Sequence, residues 1–171
     1  PPPPGRRPAR PAEVPTPVLR PCPGGAPPAA TPTGNFGQLR RDKNDTAPSR
    51  AATVSYRGDS GKSVTIPLKV KTHGIWRLKN CDMPPLRWNF AGKDTKGTLF
   101  HGVNKPKVTS SCRDNERYEQ LVLREAQLYR IYQVLTPNSH RVRLLRPTYV
   151  DSATRRAVAT RFSFAFEDPD A

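Results

Sequence analysis

The stretch Asn115-Glu116-Arg117-Tyr118-Glu119-Gln120-Leu121-Val122-Leu123-Arg124-Glu125-Ala126-Gln127-Leu128-Tyr129-Arg130-Ile131-Tyr132-Gln133-Val134-Leu135 carries the strongest periodic signal in the chain. Within it Tyr118, Leu121, Val122, Glu125, Leu128, Tyr129, Tyr132 and Leu135 recur at the spacings of one face of an α-helix. Asp114, Glu116 and Glu119 crowd its start, with Asp114 or Asn115 as the cap, and Arg130 lies near its end, in agreement with the helix dipole. Pro137-Asn138 then stops it.

Strands are expected on both sides of this helix. Residues 51–57 read as one, closed by the turn Gly58-Asp59-Ser60-Gly61. Ile66, Leu68 and Val70 alternate with Thr65, Pro67, Lys69 and Lys71, as a half-buried strand does, and Pro67 places it at an edge or bulge. Leu86, Trp88 and Phe90 alternate with Pro85, Arg87 and Asn89. Short strands are expected around Leu99–Phe100 and Lys107–Thr109, and two long ones over His140–Val150 and Val158–Phe166, joined by Asp151-Ser152-Ala153-Thr154. One long helix among strands, without regular alternation, predicts an α+β fold: an antiparallel β-sheet with the amphipathic helix packed on one face.

Residues 1–34 hold 13 of the chain's 21 prolines and one acidic residue, Glu13. With no apolar periodicity they are expected to be a disordered Pro-rich linker, a plain spacer or a ligand for Pro-recognising domains. Residues 35–171 then form the folded domain and carry most of the chain's net charge of +15. No apolar run is long enough for a transmembrane helix. The first residues carry neither an initiator Met nor the apolar stretch of a signal peptide, so a mature form or a translated fragment is expected.

Glu125 shares the helix face of Leu121, Leu128 and Tyr129, and a carboxylate turned toward a sheet needs a cation. Lys105, Lys107, Lys69 and Lys71 are the available strand lysines; Lys105 or Lys107 with Glu125 makes a candidate phosphate-binding pair of the kind that orders a nucleotide. The plainer reading puts Glu125 at the edge of the face, in water. His73, His101 and His140 show no metal-ligand spacing, so no metal site is assigned. Gly92, Gly97 and Gly102 bracket Lys93 and Lys96 in a pattern that fits no phosphate loop.

Of three cysteines, Cys22 falls in the linker, and Cys81 with Cys112 could close a 31-residue loop. In an oxidising compartment they would be bridged, in a cytosolic protein reduced. Arg141, Arg143, Arg146, Arg155, Arg156 and Arg161 gather on the last two strands as a candidate basic patch, which attracts nucleic acid or another anionic polymer. Arg141 and Arg143 are expected on one face, opposite Val142 and Leu144.

The run Leu99-Phe100-His101-Gly102, Lys105 to Cys112, Arg113-Asp114, Val122-Leu123-Arg124 and Leu135-Thr136-Pro137 to Tyr149-Val150-Asp151 resembles the spore coat protein H family of secreted, kinase-like proteins. Val70-Lys71-Thr72-His73-Gly74 is similar to that family's early strand, and Phe164-Ala165-Phe166-Glu167-Asp168 to a kinase hinge. Arg77-Leu78-Lys79-Asn80-Cys81, Pro84-Pro85-Leu86-Arg87 and Lys96-Gly97-Thr98-Leu99-Phe100 look like those of a group of uncharacterised exported bacterial proteins. The resemblance implies a kinase-like small lobe truncated at its C-terminus, export to the periplasm or cell exterior, and a Cys81–Cys112 disulfide. ATP and Mg would enter only as part of a longer chain, because the family's catalytic aspartates lie downstream of the position of Glu167 and the family's Lys-Lys-Ser run is replaced here by Met83-Pro84-Pro85. A basic module for polyanions or nucleic acid, or a structural envelope component, is the alternative.

Overall fold

A computed structural model describes residues 26–42, 44, 46–58 and 60–167. Eight strands form: β1 (Ala29–Gly34), β2 (Arg50–Arg57), β3 (Ser63–Thr72), β4 (Leu86–Phe90), β5 (Lys107–Ser110), β6 (Val142–Asp151), β7 (Ala157–Thr160) and β8 (Ser163–Phe166). Three helices accompany them: α1 (Phe36–Leu39), α2 (Trp76–Asn80) and α3 (Glu116–Leu135). The expected α+β layer does not form. Seven strands run β1-β2-β3-β4-β5-β8-β6, and a parallel pairing of β6 with β1 closes them into a barrel, with β7 added as a hairpin partner of β6.

Closure depends on a segment that reads as linker. In β1, Ala30, Pro32 and Gly34 turn toward the interior, and this small-residue strand bonds on both edges. Its register with β6 pairs Ala29 with Arg146 and Ala30 with Pro147, then skips to Thr33 with Val150, so Pro32, which has no N–H to give, falls in the gap. The disordered-linker reading of residues 1–34 therefore fails for 29–34, while residues 1–25, with Cys22, lie outside the described residues. Pro67 behaves as its chemistry requires: the β3–β4 ladder starts one residue later, at Leu68 with Phe90.

Alternating residues fill the interior. Val54, Ile66, Val70, Leu86, Trp88, Val108, Leu145 and Tyr149 are buried there. At one end Phe100 stacks on Phe90 with centroids 5.0 Å apart and meets Trp88 edge-on at 5.8 Å. The loop around Leu99–Phe100, expected as a strand, is instead a turn that stoppers the barrel, held by the Tyr56 hydroxyl accepting from Leu99 N at 2.7 Å. At the other end Phe36 and Leu39 of α1 seal the barrel, with Phe36 edge-on to Tyr149 at 5.1 Å.

Helix α3 starts at Asn115, whose side chain accepts from Tyr118 N, and lies outside the barrel against β5, β6 and β8. Its inward residues are Val122 and Ala126, with Tyr129 beside them, over Val142 and Phe164. The expected inward face was rotated: Leu121 and Leu128 are exposed. The strand expected over Val158–Phe166 is broken into β7 and β8, because Glu119 takes the Phe162 N–H at 2.7 Å that a continuous ladder would need. Cys81 and Cys112 form a disulfide, both largely buried, between the end of α2 and the approach to α3. Among the described residues no helix is long and apolar enough to cross a membrane.

Candidate functional site

The α1 end of the barrel holds a run of depressions whose walls are rich in arginine. Asn35 accepts from Gln38 N at 2.9 Å and starts α1 directly after β1. Asp151, at the end of β6, fixes the same turn from the other side: its carboxylate accepts from Gly37 N at 2.7 Å and from Ala153 N and Thr154 N at 3.0 Å each. Those bonds, Gly37's first, hold the Asp151 carboxyl below the usual range. A side chain at Gly37 would bring its Cβ within 3.3 Å of Asp151 Oδ2, so this close approach favours glycine.

The chain thereby delivers Arg40 and Arg41 to the rim. Three depressions of about 220, 370 and 350 Å³ all have Arg40 in their walls. The first is also lined by Arg113 and Arg161, the second by Arg41 and Asp82, the third by Arg41 and the Asp151 turn. Arg40 Nε donates to the Asp82 carbonyl at 3.0 Å, and Arg41 donates to the amide oxygen of Gln38 at 2.9 Å. Both acceptors are uncharged, so these bonds orient the two guanidinium groups without neutralising them. Arg113 pairs with the Asp82 carboxylate at 2.8 Å, and Arg161 with Asp114 at 2.8 Å and Glu119 at 3.2 Å. The floor of the first depression is a buried hydroxyl cluster in which Tyr149 meets Ser110 at 2.7 Å and Ser163 meets Ser110 at 3.2 Å. Burial pushes the Tyr149 hydroxyl up, so it stays protonated. Ser110 bonds to the Tyr149 and Ser163 hydroxyls, and among the described residues no base is bonded to it.

The residues singled out in the sequence distribute differently. Glu125 accepts from Arg77 at 2.9 Å rather than from a strand lysine. Lys107 stands on β5 with its Nζ 5.8 Å from the Phe166 ring, and Lys105 is exposed in the turn before it. Of the arginine patch, Arg155 and Arg156 are exposed at the β6–β7 hairpin, and Arg146 lies over Phe162 at 5.5 Å. Arg143 shares its inward side with Leu145 and Tyr149, not an outer stripe; it is 7% exposed and donates to the Leu99 carbonyl, helping to stopper the far end. Arg141 precedes β6 and is half-buried. Among the described residues no cluster of His, Cys, Asp and Glu could hold a metal ion.

Family models, curated proteins and solved structures give no match to this chain. The site therefore stands on its geometry. Arg40, Arg41 and Arg113 were not anticipated; the one signal in the sequence was the pair Arg40-Arg41 after the apolar Phe36 and Leu39, which presents two cations at one end of a short element.

Proposed function

We propose that this chain is a polyanion-binding module that holds a linear anionic polymer across the α1 end of its barrel. The observation that carries the reading is that three depressions share Arg40, with Arg41 beside it and neither guanidinium in a direct ion pair with a carboxylate among the described residues. A string of shallow sites suits a chain of repeated charges better than a single small molecule, and guanidinium groups bind phosphate or sulfate in a bidentate way. The net charge of +15 adds long-range attraction. Neither an activated nucleophile nor a strand lysine bonded to Glu125 supports phosphoryl transfer here. The disulfide supports an oxidising compartment, so the polymer belongs to the cell envelope or exterior rather than the cytosol.

Thermal shift with heparin and, separately, with ATP and Mg²⁺ tests this. Heparin is expected to raise the Tm in a salt-reversible way, and Arg40→Gln with Arg41→Gln to lower the salt slope by about 1–2. A shift with ATP and Mg²⁺ but none with heparin overturns the proposal.

A further inference from the structure

Helix α3 is apolar on two of its sides. Val122 and Ala126 close one against the barrel, whereas Leu121, Leu128, Ile131, Tyr132 and Leu135 stand 48 to 74% exposed on the other. At 3.6 residues per turn these five occupy an arc of about 100°. Ile75 and Trp76, at the start of α2, are 83 and 67% exposed, and the Arg77–Glu125 bridge at 2.9 Å holds them beside this stripe. Every large hydrophobic side chain that is exposed among the described residues belongs to α3 or to this pair.

The stripe carries cations within its own arc. Arg117 and Arg124, four residues before Leu121 and Leu128, are exposed on the same side of the helix, and Lys79 is exposed on α2. Of the carboxylates on α3, Glu125 is engaged by Arg77 and Glu119 by Arg161 and the Phe162 N–H, while Glu116 is exposed outside the arc of the stripe. An apolar band with a tryptophan at its margin and arginines interspersed along it, whose stems lie with the apolar side chains while their heads reach outward, matches the layered chemistry of a bilayer surface, where hydrocarbon lies under anionic headgroups. A second copy of the chain is a poorer occupant, because it would set the arginines of one stripe against those of another and bring together two chains of +15.

We infer that this face docks on an anionic lipid bilayer, with α3 lying in the headgroup layer and Trp76 entering the interface. The groove at Arg40 takes no part, so this surface is independent of the polymer site.

The intact chain is mixed with vesicles of phosphatidylcholine alone and of phosphatidylcholine with phosphatidylglycerol, and followed by co-sedimentation and tryptophan emission. Of the two tryptophans Trp88 is fully buried, so a shift reports Trp76. Binding to the phosphatidylglycerol vesicles with a blue shift is expected. Leu128→Glu with Leu135→Glu should lower partition by about tenfold or more and abolish the shift, and Arg124→Gln should lower partition about fivefold. Both leucines are exposed, so far-ultraviolet circular dichroism should be unchanged. Arg40→Gln with Arg41→Gln should leave the blue shift in place, which separates this face from the polymer groove. Four results overturn the inference: binding without a blue shift and insensitive to the glutamates, equal binding to neutral vesicles, self-association dissolved by the glutamates in place of vesicle binding, or no binding.

Discussion

Strand β4 and helix α3 both carry recurring large apolar residues, yet only the strand's are buried. Leu86, Trp88 and Phe90 are 0 to 3% exposed because alternate residues of a closed wall point into a space that water cannot enter. On α3 the equivalent burial stops at Val122 and Ala126, and the residues one-quarter turn away face solvent. Spacing says which side chains share a side. Whether that side is interior depends on a contact far away in sequence, the β1–β6 pairing that turns a sheet into a barrel.

The difference should appear first as stability. Phe100→Ala at the stoppered end removes a side chain wedged against Phe90, Trp88 and Tyr56, and is expected to cost about 3–5 kcal/mol in urea unfolding. Leu135→Ala, on the open side of α3, should stay within about 0.5 kcal/mol. Equal losses would mean that α3 is buried by something in solution and would break the contrast.

Next comes the tie between the two regions. The Cys81–Cys112 disulfide and the Asp82 N–H to Cys112 carbonyl bond at 2.9 Å join α2 to the approach of α3. Closing a 31-residue loop is worth about 3–4 kcal/mol in the chain-entropy estimate. A Cys81→Ala, Cys112→Ala variant should lose that much, and hydrogen exchange should rise in α2 and the first turns of α3 before it rises in β3 or β4. Uniform loss of protection would show that barrel and outer layer unfold as one unit.

The legible parts of this molecule were those in which local chemistry decides the outcome. Alternation located β3 and β4, Asn115 and Pro137 bounded α3, and with export implied by resemblance the two cysteines outside the linker pointed to the bridge that forms. Closure was not legible, because β1 is built from Ala30, Pro32 and Gly34, which carry no apolar signal and serve by being small enough to pass beside Ala52 and Asp151. The inward turn of Arg143 was hidden for a related reason. An arginine in a strand reads as exposed, and it is the returning loop at Leu99 that brings a carbonyl to Arg143 in its buried position. The arginine groove likewise assembles from α1, the loop after α2 and the approach to α3, which no sequence window spans.

A smaller effect concerns pH. Asp42 is held below its ordinary value, first by its bond from Arg50 at 2.8 Å, and Asp151 first by the Gly37 N–H. A carboxylate depressed in the folded state contributes stability that is fully present above its unfolded value of about 3.9 and is lost as pH falls through the folded value. The Tm should therefore be level down to about pH 5 and decline below it. Asp151→Asn should lower the Tm at neutral pH and flatten part of that decline; an unchanged acid slope would show that the α1 end does not depend on this carboxylate.

The smallest effect expected of a core change is at Trp88. Its ring is fully buried between Phe90 and Phe100, but its indole Nε1 has no hydrogen-bond partner among the described residues. A buried donor without a partner costs about 1–3 kcal/mol, whereas the carbon lost in Trp88→Phe leaves a gap costing a similar amount. The two contributions oppose each other, so this substitution should change stability by about 1 kcal/mol or less in urea unfolding. That would set it beside Leu135→Ala in size while sharing a site with the most costly residue of the barrel. A loss of about 3 kcal/mol or more would show that the indole contributes more through its packing against Phe90 and Phe100 than its N–H costs.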